Sequence, residues 1–157
     1  TGKMFASEHW NVIPDMMTLA KGLGSGYVPI GAVVAKAEVF NRFLGDDTET
    51  FMHGITFGGH PVACAAALAN VEIYQRERLP ERAMEMGRYL MDGLKRLEQY
   101  EIVGELRGLG LLIGIELVAD RKAKRPFPPT ARVGQQISAA AWEMGLMARS
   151  NWDIIQL

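Results

Sequence analysis

Apolar positions along this chain fall into short blocks separated by glycine and proline, and their spacing changes from block to block. Residues 16–20 are a short, largely apolar run between Pro14-Asp15 and the cluster Gly22, Gly24 and Gly26, which predicts a buried strand entering a tight loop. Residues 30–35 predict a second strand, residues 37–44 a short helix, and residues 50–60, with Gly54, Gly58 and Gly59, a loop. A long helix is predicted from Pro61 to about Glu77, because proline suits the first helical position and the body is rich in alanine. Ala83, Met86, Leu90, Leu94 and Leu97 recur at helical spacing and predict a helix over 81–100. Residues 101–106 and 111–118 read as strands joined by a turn at Arg107-Gly108-Leu109-Gly110. A charged, proline-rich loop over 120–129 precedes a helix over 133–144 and extended segments at 146–149 and 154–157.

Strands and helices mix along the chain, so the predicted class is α/β for the first part and α+β for the second. A new unit is expected to open at Leu79-Pro80. Thr1-Gly2-Lys3 and the apolar Ile154-Ile155-Gln156-Leu157 both read as interior sequence, so the chain is expected to be part of a longer protein.

Of the 157 residues, 48% are hydrophobic and 22% charged, which suits a globular core. With 17 Lys plus Arg against 18 Asp plus Glu, nothing points to nucleic acid or an anionic membrane. No apolar run approaches the ~20 residues of a membrane span. A single cysteine, Cys64, excludes an internal disulfide framework and suits a cytoplasmic location. His53, His60 and Cys64 match none of the usual zinc spacings, so no metal is expected. The glycines at 108, 110 and 114 lack the dinucleotide spacing and lead into a strand rather than a helix. Glu72, Glu116 and Glu143 read as solvated or structural.

Lys21 is the first candidate for chemistry. A solvated lysine at a strand end is the plain alternative. However, Lys21 directly follows an apolar run and precedes three glycines in five residues, where a bulky ligand could approach the backbone.

The stretch Pro14-Asp15-Met16-Met17-Thr18-Leu19-Ala20-Lys21-Gly22-Leu23, with Ser25-Gly26-Tyr27-Val28-Pro29-Ile30-Gly31-Ala32 after it, resembles the cofactor-lysine signature of class III aminotransferases. His53-Gly54-Ile55-Thr56-Phe57-Gly58-Gly59-His60-Pro61-Val62-Ala63-Cys64 resembles a second signature of that family, and Thr56 follows Lys21 by the 35 positions the pattern expects. The resemblance covers essentially the whole chain. It implies the fold-type I arrangement of pyridoxal-phosphate-dependent transferases: residues 1–60 finishing the large cofactor domain, 61–78 an interdomain helix, and 79–157 most of the small domain.

The resemblance further implies pyridoxal 5'-phosphate held as a Schiff base on Lys21, which afterwards carries a proton at the substrate. An unperturbed lysine is a neutral nucleophile in only about one molecule in 2,500 at pH 7, so a preformed Schiff base and a desolvated setting both help. Thr56, otherwise a turn-forming hydroxyl, is implied to bind the phosphate of the cofactor in a neighbouring subunit, which makes a homodimer with shared sites. Arg149, otherwise a surface arginine on an edge strand, is implied to bind a substrate carboxylate, as in ω-amino acid:pyruvate and amine:pyruvate transaminases. Ornithine-type relatives carry that arginine at the place of Gln156. The implied reaction moves an amino group from an amine or ω-amino acid to a keto acid, pyruvate in that subgroup. A diamine or ornithine-type transaminase, an aminomutase and a non-catalytic paralogue remain alternatives. The family's pyridine-pairing carboxylate, phosphate cup and ring-stacking aromatic would lie upstream, so this stretch alone is expected to be inactive.

Overall fold

The computed structural model describes residues 1–46 and 48–157, which form two compact units: Ser7–Leu79, and Pro80–Leu157 together with Thr1–Ala6.

In the unit Ser7–Leu79, β1 (Met16–Leu19) pairs antiparallel with β2 (Ala32–Ala35), Met16 opposite Ala35 and Leu19 opposite Ala32. Strand β1 is not buried as predicted. Met16 is 61% exposed, since a two-stranded ribbon covers neither of its own faces. The helix predicted over 37–44 is α1 only for Ala37–Phe40 and tightens into a 3-10 turn at Asn41–Phe43. Helix α2 (Pro61–Arg76) begins and ends close to prediction. His60 caps it, Nδ1 accepting from the Ala63 amide at 3.4 Å, and Arg78 in the left-handed region (φ 51°) follows its end. Its inward face follows the helical period: Ala63 and Ala67 are buried, and Asn70 and Tyr74 continue the stripe, half-buried.

In the other unit, α3 (Leu79–Leu94) starts earlier than predicted and passes into a 3-10 turn at Lys95–Gln99. Strands β3 (Val103–Leu109), β4 (Leu112–Leu117), β5 (Arg149–Asn151) and β6 (Ile154–Gln156) form an antiparallel sheet in the order β3-β4-β6-β5. Helix α4 (Val133–Glu143) packs on the β5–β6 hairpin. The core gathers Val103, Ile115, Leu117 and Ile155, with Leu94, Leu97, Phe127 and Ile137 around them.

The β3–β4 turn is displaced from its predicted place. The strand continues through Arg107 to Leu109, and the turn is Gly110-Leu111 with Gly110 at φ +61°. Gly108 is a close-approach residue instead: a Cβ there would meet the Leu112 carbonyl oxygen at 2.8 Å. Across this pair Glu105 stands opposite Glu116, and Arg107 ion-pairs with both, at 2.9 Å from Glu105. The hydrogen bond to Glu116, ahead of the attraction of both carboxylates, raises the guanidinium pKa. The extended segment predicted at 146–149 forms strand only from Arg149 onward.

Candidate active site

Lys21 opens a 3-10 turn, Lys21–Leu23, immediately after β1. Its backbone is in the left-handed region at φ +50°, which a residue with a Cβ occupies only when its surroundings hold it there. The turn is closed by Leu23 N donating to the Ala20 carbonyl and Gly24 N to the Lys21 carbonyl, both at 3.1 Å. Gly24 is buried, and a Cβ on it would lie 2.8 Å from the Val28 carbonyl oxygen, so the loop folds tightly back on itself.

From α2, Asn70 Nδ2 donates to the carbonyls of Gly22 at 2.7 Å and Leu23 at 3.0 Å, and Tyr74 Oη donates to Gly22 at 3.0 Å. Sequence reading missed these two residues. Their signal was available: the spacing 63, 67, 70, 74 puts a polar pair on the small-residue face of α2.

Lys21 lines an open cavity of about 480 Å³ with Gly22, Ser25, Gly26, Val28, Pro29 and Ile30. Within the described residues Lys21 is exposed, so the desolvated setting expected for its ammonium is absent from this chain. The reason is geometric: every residue lining the cavity lies within the loop 21–30 itself. Gly26, at φ +79°, has no heavy atom within 4 Å of a Cβ position, which leaves the backbone approachable. The volume lies within the ~300–1,000 Å³ of small-molecule sites. A primary amine beside an open, glycine-bordered cavity fits the aldehyde end of pyridoxal phosphate.

Thr56 sits in the turn closed by Gly58 N donating to the Ile55 carbonyl at 2.8 Å. It is exposed, and no described residue accepts or donates a hydrogen bond at its hydroxyl, so the turn does not depend on that group. Gly59 follows at φ +66° with nothing within 4 Å of a Cβ position. A free hydroxyl beside open glycine backbone fits an oxyanion such as a phosphate. Thr56 is not among the residues lining the cavity beside Lys21.

Arg149 belongs to the other unit. It begins edge strand β5, is exposed, and ion-pairs with no described residue. Among the described residues no three His, Cys, Asp or Glu side chains gather to hold a metal, and no helix is long and apolar enough to cross a membrane.

The profile of the family described as aminotransferase class-III matches residues 1–156. The chain is 43% identical over 157 residues to an adenosylmethionine-8-amino-7-oxononanoate aminotransferase of Anoxybacillus flavithermus, covering 99% of this chain and 35% of that protein. Among solved structures, an (S)-enantioselective omega-transaminase from Thermomicrobium roseum matches with TM-score 0.91 and 44% identity, over 99% of this chain and 35% of that one. A PLP-bound amine transaminase from an uncultivated Pseudomonas species matches with TM-score 0.93 and 39% identity, over 99% and 36%. The chain spans about a third of the length of the relatives it matches. Its fold is the α/β fold of these transaminases.

Proposed function

This chain belongs to the class III aminotransferases, and on that premise we propose that its protein is a pyridoxal-phosphate-dependent transaminase that moves an amino group from an amine or ω-amino acid to a keto acid, with pyruvate as acceptor. The observation that carries this reading is Lys21, held at positive φ on a braced turn beside an open cavity.

Bound pyridoxal phosphate would supply an aldehyde for amines and a ring that takes up electron density. The protein's residues do the rest. Lys21 Nζ is the group that would hold the cofactor's aldehyde end, and its amine would move the proton at the substrate Cα. Glycine backbone at 22 and 26 lets the ligand lie close. Thr56 Oγ1, beside the open backbone at Gly59, would hold the phosphate in the neighbouring subunit's site, and Arg149 would hold the substrate carboxylate. The division into 1–60, 61–78 and 79–157, the homodimer and the cytoplasmic location are parts of the same proposal.

The test is borohydride reduction of the full-length holoenzyme followed by peptide mass mapping. The reduced adduct is expected on Lys21, and Lys21→Ala is expected to bind the cofactor noncovalently without turnover. An adduct on Lys3, Lys36 or another lysine overturns the assignment.

A further inference from the structure

Three hydrogen bonds from one face of α2 converge on two consecutive peptide carbonyls directly after Lys21: two from Asn70 Nδ2 and one from Tyr74 Oη. A carbonyl oxygen has two lone pairs, so with two donors the Gly22 carbonyl is saturated. Its peptide plane cannot rotate without breaking bonds to both side chains.

That plane belongs to the turn that sets the direction of the Lys21 side chain. Lys21 itself is at φ +50°, a backbone state that relaxes toward negative φ unless its neighbours prevent it. Relaxation there would swing the Gly22 carbonyl away from both donors. The lock is therefore reciprocal: α2 holds the turn, and the turn holds the lysine in a strained pose. Asn70 and Tyr74 are polar residues on the face that carries the buried Ala63 and Ala67, so the helix packing that seats the small residues also aims the two donors.

We infer that Asn70 and Tyr74 are positioning residues for Lys21, fixing where its Nζ stands relative to the cofactor, an inference that rests on the reading of Lys21 as the cofactor lysine. Neither residue lines the cavity beside Lys21. They act through the Gly22 and Leu23 carbonyls, so their loss degrades the lysine's aim while leaving the amine present.

The experiment uses the full-length holoenzyme and two near-isosteric variants: Asn70→Asp, which keeps the shape but loses the Nδ2 donor, and Tyr74→Phe, which loses a single hydroxyl. Three quantities are read: the borohydride adduct on Lys21, the pH midpoint of the visible absorbance change of the lysine-bound cofactor, and kcat with KM for the amine. In both variants the adduct still forms on Lys21 and the absorbance midpoint shifts. KM changes little, and kcat falls by about tenfold for Asn70→Asp and about threefold for Tyr74→Phe, on the scale of one to two neutral hydrogen bonds.

A role confined to tying the loop to the helix would lower the melting temperature and leave absorbance midpoint and kcat at the parent values, and that result overturns the inference. If Asn70→Asp does not accumulate folded, Tyr74→Phe decides alone, and an unshifted midpoint with parental kcat overturns it. A parent enzyme with no adduct on Lys21 marks failure of the lysine assignment itself, which removes the inference with it.

Discussion

Arg149 and Gln156 stand directly opposite one another in the antiparallel pairing of β5 with β6. Opposed residues in such a pair have Cα atoms about 5 Å apart and project from the same face of the sheet. The two positions at which the resemblance to class III subgroups implies a carboxylate-binding arginine are therefore neighbours on one surface. Here the arginine is on the edge strand and glutamine on the inner one.

This pairing makes the substrate proposal testable in the full-length enzyme. A charge-assisted hydrogen bond contributes roughly 1.5–3 kcal/mol, about one to two powers of ten in affinity. Arg149→Ala is expected to weaken keto acids and amino acids by that factor and to leave simple amines nearly unchanged in their own half-reaction. Because the two positions adjoin, adding Gln156→Arg to Arg149→Gln is expected to recover part of the carboxylate affinity. Half-reactions followed separately by cofactor absorbance check both. Equal losses for amine and keto acid would make Arg149 structural.

Thr56 yields a prediction about assembly. Its hydroxyl is unused by its own turn, which leaves it free for a ligand outside the loop. If that ligand is the phosphate in a neighbouring subunit, an inactive Lys21→Ala chain mixed with an inactive Thr56-loop deletion chain should recover activity, since one site of the hybrid is intact. Full activity from a monomer would contradict it.

How much of this was legible follows from what each signal depends on. Helix α2 was readable to within a residue at its end because proline at the first position and an alanine-rich body act locally. The β3–β4 turn was misplaced because Gly108 and Gly110 look alike in sequence. Only the cross-strand approach of the Leu112 carbonyl shows that Gly108 serves packing while Gly110 supplies the positive φ. Lys21 and Thr56 are candidates through their motifs, whereas Asn70 and Tyr74 form no motif. Their role exists only once α2 lies against the loop 48 to 52 positions earlier in the chain.

Asp15 provides a pH prediction with a definite sign. Its Oδ1 accepts from Lys36 Nζ at 2.7 Å, and its carbonyl accepts from the Lys36 amide at 2.9 Å, so the pair clasps the end of the β1–β2 ribbon. The hydrogen bond from Lys36, and then its charge, hold the Asp15 carboxyl below its ordinary 3.8. A carboxylate with a depressed folded pKa stabilises the fold above the unfolded value, and that contribution is lost as pH falls through the folded one. The pair is exposed, so salt should screen it and the effect on stability should be small. An NMR titration should find the Asp15 midpoint below 3.8, returning to the ordinary value in Lys36→Met.

Two glycines of α3 should respond to the same substitution with opposite sign. Glycine inside a helix costs up to about 1 kcal/mol relative to alanine, so a change to alanine is favourable wherever there is room. Gly93 has that room, with no heavy atom within 4 Å of a Cβ position. Gly87 does not. It is the one buried residue of α3, and a Cβ on it would overlap the Cα, C and O of Gly110. Those are backbone atoms, so no rotamer change can yield. Gly110 is itself confined, at φ +61° in a two-residue turn with Thr1 packed close on its other side. The helix must then lift off the hairpin, at a cost of about 1–3 kcal/mol typical of overpacking, which exceeds the gain in propensity. Gly93→Ala is therefore expected to raise the denaturation midpoint slightly and Gly87→Ala to lower it clearly, with faster amide exchange at the β3–β4 turn. Equal responses at the two positions would show that α3 does not depend on this contact.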